Sequence, residues 1–171
     1  MKKIGIDLGG HTITAGSVDF SGAAPQVLST VTVPTPESRD LLSVIHVLEE
    51  LILLWAAPGD DCFVGIGIPG FVDGERRRIL RLTNFSDCDG VVLGEIISAN
   101  LKARGIRADV RLENDANCAA LGEGAAGAAR GMRDYVVLTL GTGIGAGIVA
   151  NDGLLTGAHG MAAECGHMAV S

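Results

Sequence analysis

Aromatic residues make up only 4% of this 171-residue chain, with one Trp and one Tyr, so a core has to be built from aliphatic side chains. Together with 47% hydrophobic content and 25 glycines, that scarcity points to an α/β protein of aliphatic strands, tight turns and small-residue helices, and excludes disorder. Basic residues are also few, 13 against 20 acidic ones. The resulting formal charge of -7 excludes a polyanion-binding surface, because nucleic-acid binding is driven by clustered Lys and Arg. The one basic run, Arg76-Arg77-Arg78, follows Asp73-Gly74 and reads as a solvated strand beside a hairpin turn. No CxxC spacing links Cys62, Cys88, Cys118 and Cys165, which suits reduced thiols in a cytoplasmic protein, with Cys62 and Cys118 as core packing. Long apolar runs are missing too. The stretch after Met1 breaks at Asp7, too soon for a signal peptide, and Leu41 to Ala57 carries His46, Glu49 and Glu50 and cannot span a bilayer. A cytoplasmic chain with neither a nucleic-acid nor a membrane partner is expected.

What is present is an ordered series of strands, turns and helices. Ile4 to Leu8 reads as a strand entering a Gly9-Gly10 turn, Thr12 to Val18 as its hairpin partner, and Val27 to Val33 as a third strand. Thr35, followed by Pro36, predicts a helix cap, and Leu41, Val44, Ile45, Leu48, Leu51, Ile52 and Trp55 continue at three-to-four spacing until Pro58-Gly59. Phe63 to Ile68, bounded by Pro69-Gly70, predicts a strand buried on both faces in a parallel part of the sheet. Leu93 to Arg104, closed by Gly105, predicts a second helix. Asp109 to Leu112 then delivers Glu113-Asn114-Asp115 to an alanine-rich helix, the kind of strand-to-helix junction where α/β sheets place ligands. Val136 to Leu140 and Ile144 to Ala150 predict a glycine-rich hairpin with Asn151-Asp152-Gly153 as the next turn.

That hairpin matches the first one. Leu8-Gly9-Gly10 followed by Ala15-Gly16-Ser17-Val18 parallels Leu140-Gly141-Thr142-Gly143 followed by Ala146-Gly147-Ile148-Val149. The parallel predicts one lobe over residues 1–133 and the incomplete start of a duplicated lobe over 134–171, with apolar strand edges exposed there.

Glycine turns between strands leave backbone N–H groups uncovered, so two such turns form a clamp suited to phosphate. Asp7 stands where it would hold magnesium or simply form a turn. Gly141, Gly143 and Ala146 also fit a G-x-G-x-x-A dinucleotide fingerprint, but Gly147-Ile148-Val149 continues as a strand where that fold needs a helix. Asn114 or Asp115 can cap the helix that follows, and Asp115 can instead be an ionised carboxylate ready to accept a hydroxyl proton. Glu164 and His167 read as a metal pair, a sugar-binding pair or a surface pair.

The combination of Asp7-Leu8-Gly9-Gly10, Gly67-Ile68-Pro69-Gly70, Glu113-Asn114-Asp115-Ala116-Asn117, Leu140 to Val149 and Gly157 to His167 resembles the ROK family over essentially the whole chain. That family groups bacterial sugar kinases of the glucokinase type with sugar-responsive repressors. The resemblance implies an actin-like, ribonuclease-H-like lobe with a mixed sheet flanked by helices, plus the first hairpin of a truncated second lobe. It implies ATP and magnesium held by Asp7, Gly9, Gly10 and Thr12 on one turn and by Gly141, Thr142 and Gly143 on the other. Asp115 would deprotonate the 6-hydroxyl of a hexose, glucose foremost. Gly70, Asn84 and Asn114 would contact sugar hydroxyls, with Glu164 and His167 near the anomeric end. His167 would also ligate a structural zinc whose cysteines, like the family's dimer contacts, lie beyond Ser171. The first turn reads Gly10-His11-Thr12 where Gly-Thr-Lys or Gly-Thr-Asn is usual. The reading is an ATP-dependent sugar kinase. An N-acetylhexosamine kinase and a non-catalytic sugar-sensing regulator are its alternatives.

Overall fold

The computed structural model describes residues 1–83, 85–141 and 143–168, with only the backbone of Ser86 and His167. Packing divides the chain into two compact units, Met1–Glu113 and Asn114–Ser171.

In the first unit, strand alternation selects the buried face. Along β1 (Lys2–Leu8), Ile4, Ile6 and Leu8 are buried while Gly5 and Asp7 are exposed. There follow β2 (Thr12–Asp19), β3 (Gln26–Pro34), α1 (Leu41–Leu53), β4 (Asp61–Ile68), β5 (Gly70–Val72), β6 (Ile79–Leu82), α2 (Leu93–Ala103) and β7 (Arg107–Asn114). A five-stranded sheet is ordered β3-β2-β1-β4-β7, and β5 and β6 form a separate hairpin. β2 is antiparallel to both β1 and β3, whereas β4 runs parallel to β1 from Lys2↔Cys62 to Asp7↔Gly67. The apolar stripe of α1, including Val44, Leu48, Leu51 and Ile52, joins Leu93, Ile97 and Leu101 of α2 and the buried strand face in one core. The buried Glu49 carboxylate accepts hydrogen bonds from Asn100 Nδ2 at 2.6 Å and Arg104 Nη2 at 3.2 Å, tying α1 to α2.

Three local expectations are corrected. First, α1 starts at Leu41, where the Asp40 side chain accepts the Ser43 N–H. The Ser38 hydroxyl and then the Ser43 N–H hold the Asp40 carboxyl well below the usual carboxylate range. Thr35 is not the cap, because its hydroxyl is committed to the carbonyl of Gly9. Second, the first half of β4 buries one face only, with Cys62 and Val64 in the core and Phe63 exposed, while Ile66, Gly67 and Ile68 are buried in succession as expected. Third, Arg76 to Arg78 lie in the β5–β6 loop rather than on a strand, with Arg76 and Arg78 exposed as expected and Arg77 half-buried. Asp73 Oδ1 accepts the N–H groups of Arg77 and Arg78, Arg76 pairs with Glu113 at 3.2 Å, and Arg77 pairs with Asp109 at 3.0 Å. Cys62 is core packing as expected, Cys118 is only half-buried, and no disulfide joins any of the four cysteines.

The second unit contains α3 (Asp115–Ala126), β8 (Tyr135–Leu140), β9 (Ile144–Ala150) and β10 (Gly153–Leu154), with the strands ordered β10-β9-β8. The turn into β10 has positive φ at Asn151 and Asp152, 52° and 65°, the conformation that Asn and Asp tolerate best after glycine. α3 covers one face of the hairpin, and the Tyr135 hydroxyl donates to the Ala120 carbonyl at 3.0 Å. Val136, Leu138, Leu140 and Ile144 remain exposed, matching the expected open apolar surface of this segment. The compact unit therefore begins before the hairpin, because α3 packs with β8 and β9. No helix among the described residues is long and apolar enough to cross a membrane.

The core of the first unit has a direct probe in the sole tryptophan, Trp55, whose Nε1 donates to the Ser29 hydroxyl at 2.8 Å. Ile66→Ala should lower the unfolding free energy by about 2–5 kcal/mol, read from Trp55 fluorescence in urea.

Candidate functional site

The candidate residues gather around strand ends. In the first unit, parallel pairing places the C-terminal ends of β1 and β4 side by side, with Asp7 opposite Gly67. Asp7, Gly9, Gly10, Thr12 and Gly70 thus share one end of the sheet. The first glycine turn is closed by the Gly9 N–H donating to the Thr12 carbonyl at 3.0 Å. A side chain at Gly9 would meet that same oxygen at 2.6 Å, so the turn tolerates only hydrogen there. Gly70 sits opposite Leu82 in the β5–β6 hairpin, where a Cβ would collide with the carbonyl of Arg81. Asn84 lies outside the described residues.

In the second unit, the start of α3 holds the candidate residues Asn114 and Asp115. Asn114 is the cap, its Oδ1 accepting the Asn117 N–H at 3.1 Å. Asp115 is therefore the first helical residue, with Oδ1 accepting the Ala116 N–H at 2.8 Å. Desolvation by the surrounding protein raises its pKa above the ordinary carboxylate value, and it outweighs the lowering effect of the Ala116 N–H. The capping role falls to Asn114 and leaves the Asp115 carboxylate to other chemistry.

Two glycines of β9 let this helix come close. A Cβ on Gly145 would lie 3.0 Å from the Ala116 methyl, and one on Gly147 would lie 2.5 Å from the Ala120 methyl and 2.6 Å from the Ala116 carbonyl. On the other side of the same hairpin end, the 3₁₀ turn Cys165–His167 packs so that a Cβ on Gly166 would strike the Ile144 carbonyl. Residues 144–145 thus bring together the start of α3 with Asp115, the Gly141–Gly143 turn, and the segment that carries the exposed Glu164. Thr142 and the side chain of His167 lie outside the described residues.

The β3–α1 connection, which the sequence marks only as a helix start, supports the first glycine turn. Thr35 and Arg39 both bond carbonyls of the first glycine turn, Thr35 Oγ1 to Gly9 at 2.7 Å and Arg39 Nη2 to Gly10 at 3.1 Å. Among the described residues, no group of three or more His, Cys, Asp or Glu side chains is arranged to hold a metal ion.

The ROK family model matches residues 3–171. A glucokinase from Thermotoga maritima is 41% identical over 170 residues, which cover 99% of this chain and 51% of that protein. An N-acetyl-D-glucosamine kinase from Pectobacterium atrosepticum is 33% identical over 167 residues, 96% of this chain and 51% of that protein. Among solved structures, a ROK family glucokinase from Streptomyces griseus in complex with glucose and AMPPNP superposes with a TM-score of 0.83 at 37% identity, covering 100% of this chain and 51% of that one. The chain spans about half the length of the curated relatives it matches.

The close helix contact is testable without any ligand. Gly147→Val should weaken the second unit by about 1–3 kcal/mol through overpacking, seen as faster amide exchange across α3 and β9. Gly122→Ala, at an α3 position where a Cβ meets nothing within 4 Å, should instead slow that exchange, by about 0.5–1 kcal/mol.

Proposed function

The chain belongs to the ROK family, and from that membership we propose that it is the N-terminal portion of an ATP-dependent sugar kinase. The reaction is transfer of the γ-phosphoryl group to the 6-hydroxyl of a hexose, with glucose as the leading substrate and N-acetylhexosamines as the second. The lobe division near residue 134 and a cytoplasmic setting belong to the same proposal. One observation carries it: the helix that presents Asp115 is seated, glycine against alanine, on the glycine hairpin that would hold phosphate.

The chemistry needs little from the protein beyond position and charge. As the sugar oxygen bonds to the γ-phosphorus, Asp115 accepts the hydroxyl proton, the bond from that phosphorus to the bridging oxygen breaks, and ADP departs. Asn114 and Gly70 are assigned to sugar hydroxyls, as are Glu164, Asn84 and His167. The N–H groups of the two glycine turns, around Gly9, Gly10 and Thr12 and around Gly141, Thr142 and Gly143, are assigned to the phosphates. Asp7 is exposed at the end of β1 beside the first turn and offers the oxygen donor that magnesium favours. Magnesium, when bound, neutralises charge on the phosphates. His167 would also be this chain's ligand to the family's structural zinc.

Asp115→Asn should cut sugar-dependent ADP release by about 10²–10⁴-fold while sugar affinity stays within about twofold. The assay uses ATP-magnesium with a panel of hexoses and N-acetylhexosamines, and unchanged turnover would remove Asp115 from the mechanism. The pH profile is a separate check. A base works only when ionised, so with its pKa raised the acid limb of kcat/KM should lie above the ordinary aspartate value of 3.8. Activity should fall as pH drops through that raised pKa.

A further inference from the structure

Three consecutive carbonyls of the first glycine turn accept hydrogen bonds from one short segment of chain. Gly9 O takes the Thr35 hydroxyl at 2.7 Å, Gly10 O takes Arg39 Nη2 at 3.1 Å, and His11 O takes the Thr35 N–H at 2.9 Å. In a planar trans peptide the C=O and the following N–H point in opposite directions. Fixing the Gly9 carbonyl therefore fixes the Gly10 N–H on the far side, and fixing the Gly10 carbonyl does the same for the His11 N–H. No protein acceptor takes either of those two N–H groups among the described residues.

We infer that Thr35 and Arg39 are positioning residues that hold the Gly10 and His11 N–H groups toward the phosphate chain of ATP. The inference rests on the kinase reading and adds to it the device that orients the first turn. Thr35 is buried, so its hydroxyl is held in place by packing. Arg39 has a backbone φ of 49°, a left-handed conformation that non-glycine residues rarely adopt, and its own N–H is tied to the Pro36 carbonyl at 3.1 Å. That backbone is the one from which the guanidinium reaches Gly10. With His11, Glu37 and Thr35, it lines a recess of about 480 Å³ beside the turn. A guanidinium on a peptide carbonyl is a charge-assisted bond, and it polarises the same peptide so that the His11 N–H becomes a stronger donor. Neither side chain is asked to touch substrate.

The test uses the full chain and inorganic tripolyphosphate with magnesium, read from the amide resonances of Gly10 and His11. In the wild type both amides should shift on titration. Thr35→Val, which keeps the shape and removes the donor, should weaken the Gly10 response. Arg39→Ala should weaken the His11 response and raise the apparent Kd about tenfold, and Arg39→Lys should recover most of that loss. Thermal midpoints serve as the control for folding, and Arg39→Gln carries the comparison if the alanine variant does not hold its fold. In turnover, KM for ATP should rise by the same factor while KM for the sugar stays level, a split that a general loss of packing would not produce. Wild-type amides that ignore tripolyphosphate, or variants that bind it like the wild type, would overturn the inference. If the amides respond and no sugar supports ADP release, the kinase reading fails and the positioning role stands.

Discussion

The parallel pairing of β1 with β4 is the contact on which the first unit depends. It joins strands far apart in sequence, so the cost of closing that long loop has to be offset by burial elsewhere. α1, lying between the two strands in the chain, supplies much of that burial through Val44, Leu48, Leu51 and Ile52. Once the register is set by Asp7 opposite Gly67, the rest of that end of the sheet follows. The turn at Gly9-Gly10 and the exit at Pro69-Gly70 become neighbours without any interaction of their own being required. A one-residue slip would send Ile4, Ile6 and Leu8 to the open face, so the aliphatic alternation protects the site geometry as well as the core.

In the second unit two effects of opposite sign act on one carboxylate. The start of a helix favours a negative charge at Asp115, and the Ala116 N–H donates to it. Burial among the surrounding atoms disfavours the same charge and is the larger effect. The balance leaves a base stronger than a solvated aspartate, at some expense to folding. That expense is borne at pH above the raised pKa and relieved as pH falls below it. Capping by Asn114 makes the arrangement workable, since otherwise the helix would compete for the carboxylate.

Much of this was legible because the deciding signals are local. Glycine turns, β-branched runs and the three-to-four spacing of α1 act over a few residues, and β1 to β4, β7 to β9 and α2 fall within a residue or two of their expected limits, whereas the short β5, β6 and β10 have none. The failures involve partners distant in sequence. Thr35-Pro36 carries every mark of a helix start, yet the Thr35 hydroxyl goes to Gly9, 26 residues earlier, and Asp40 takes the cap. Arg76 and Arg77 pair with Glu113 and Asp109, partners that only the fold brings alongside. Arg39 leaves no trace in any periodic pattern, because one side chain bonding one carbonyl has no repeat. At the site, the glycine turns and the Asn114-Asp115 junction were visible as motifs, but the division of labour between cap and carboxylate required the bond to Asn117.

The seat between α3 and β9 also bears on how such a protein can change over time. Its contact surface is made of glycine hydrogens, alanine methyls and one peptide carbonyl, at Gly145, Gly147, Ala116 and Ala120. Larger side chains cannot be exchanged there in small compensating steps, because neither partner has volume to give up. Changes in side-chain size are therefore confined to the surrounding loops, and the joint itself has no single-step neighbour of larger volume.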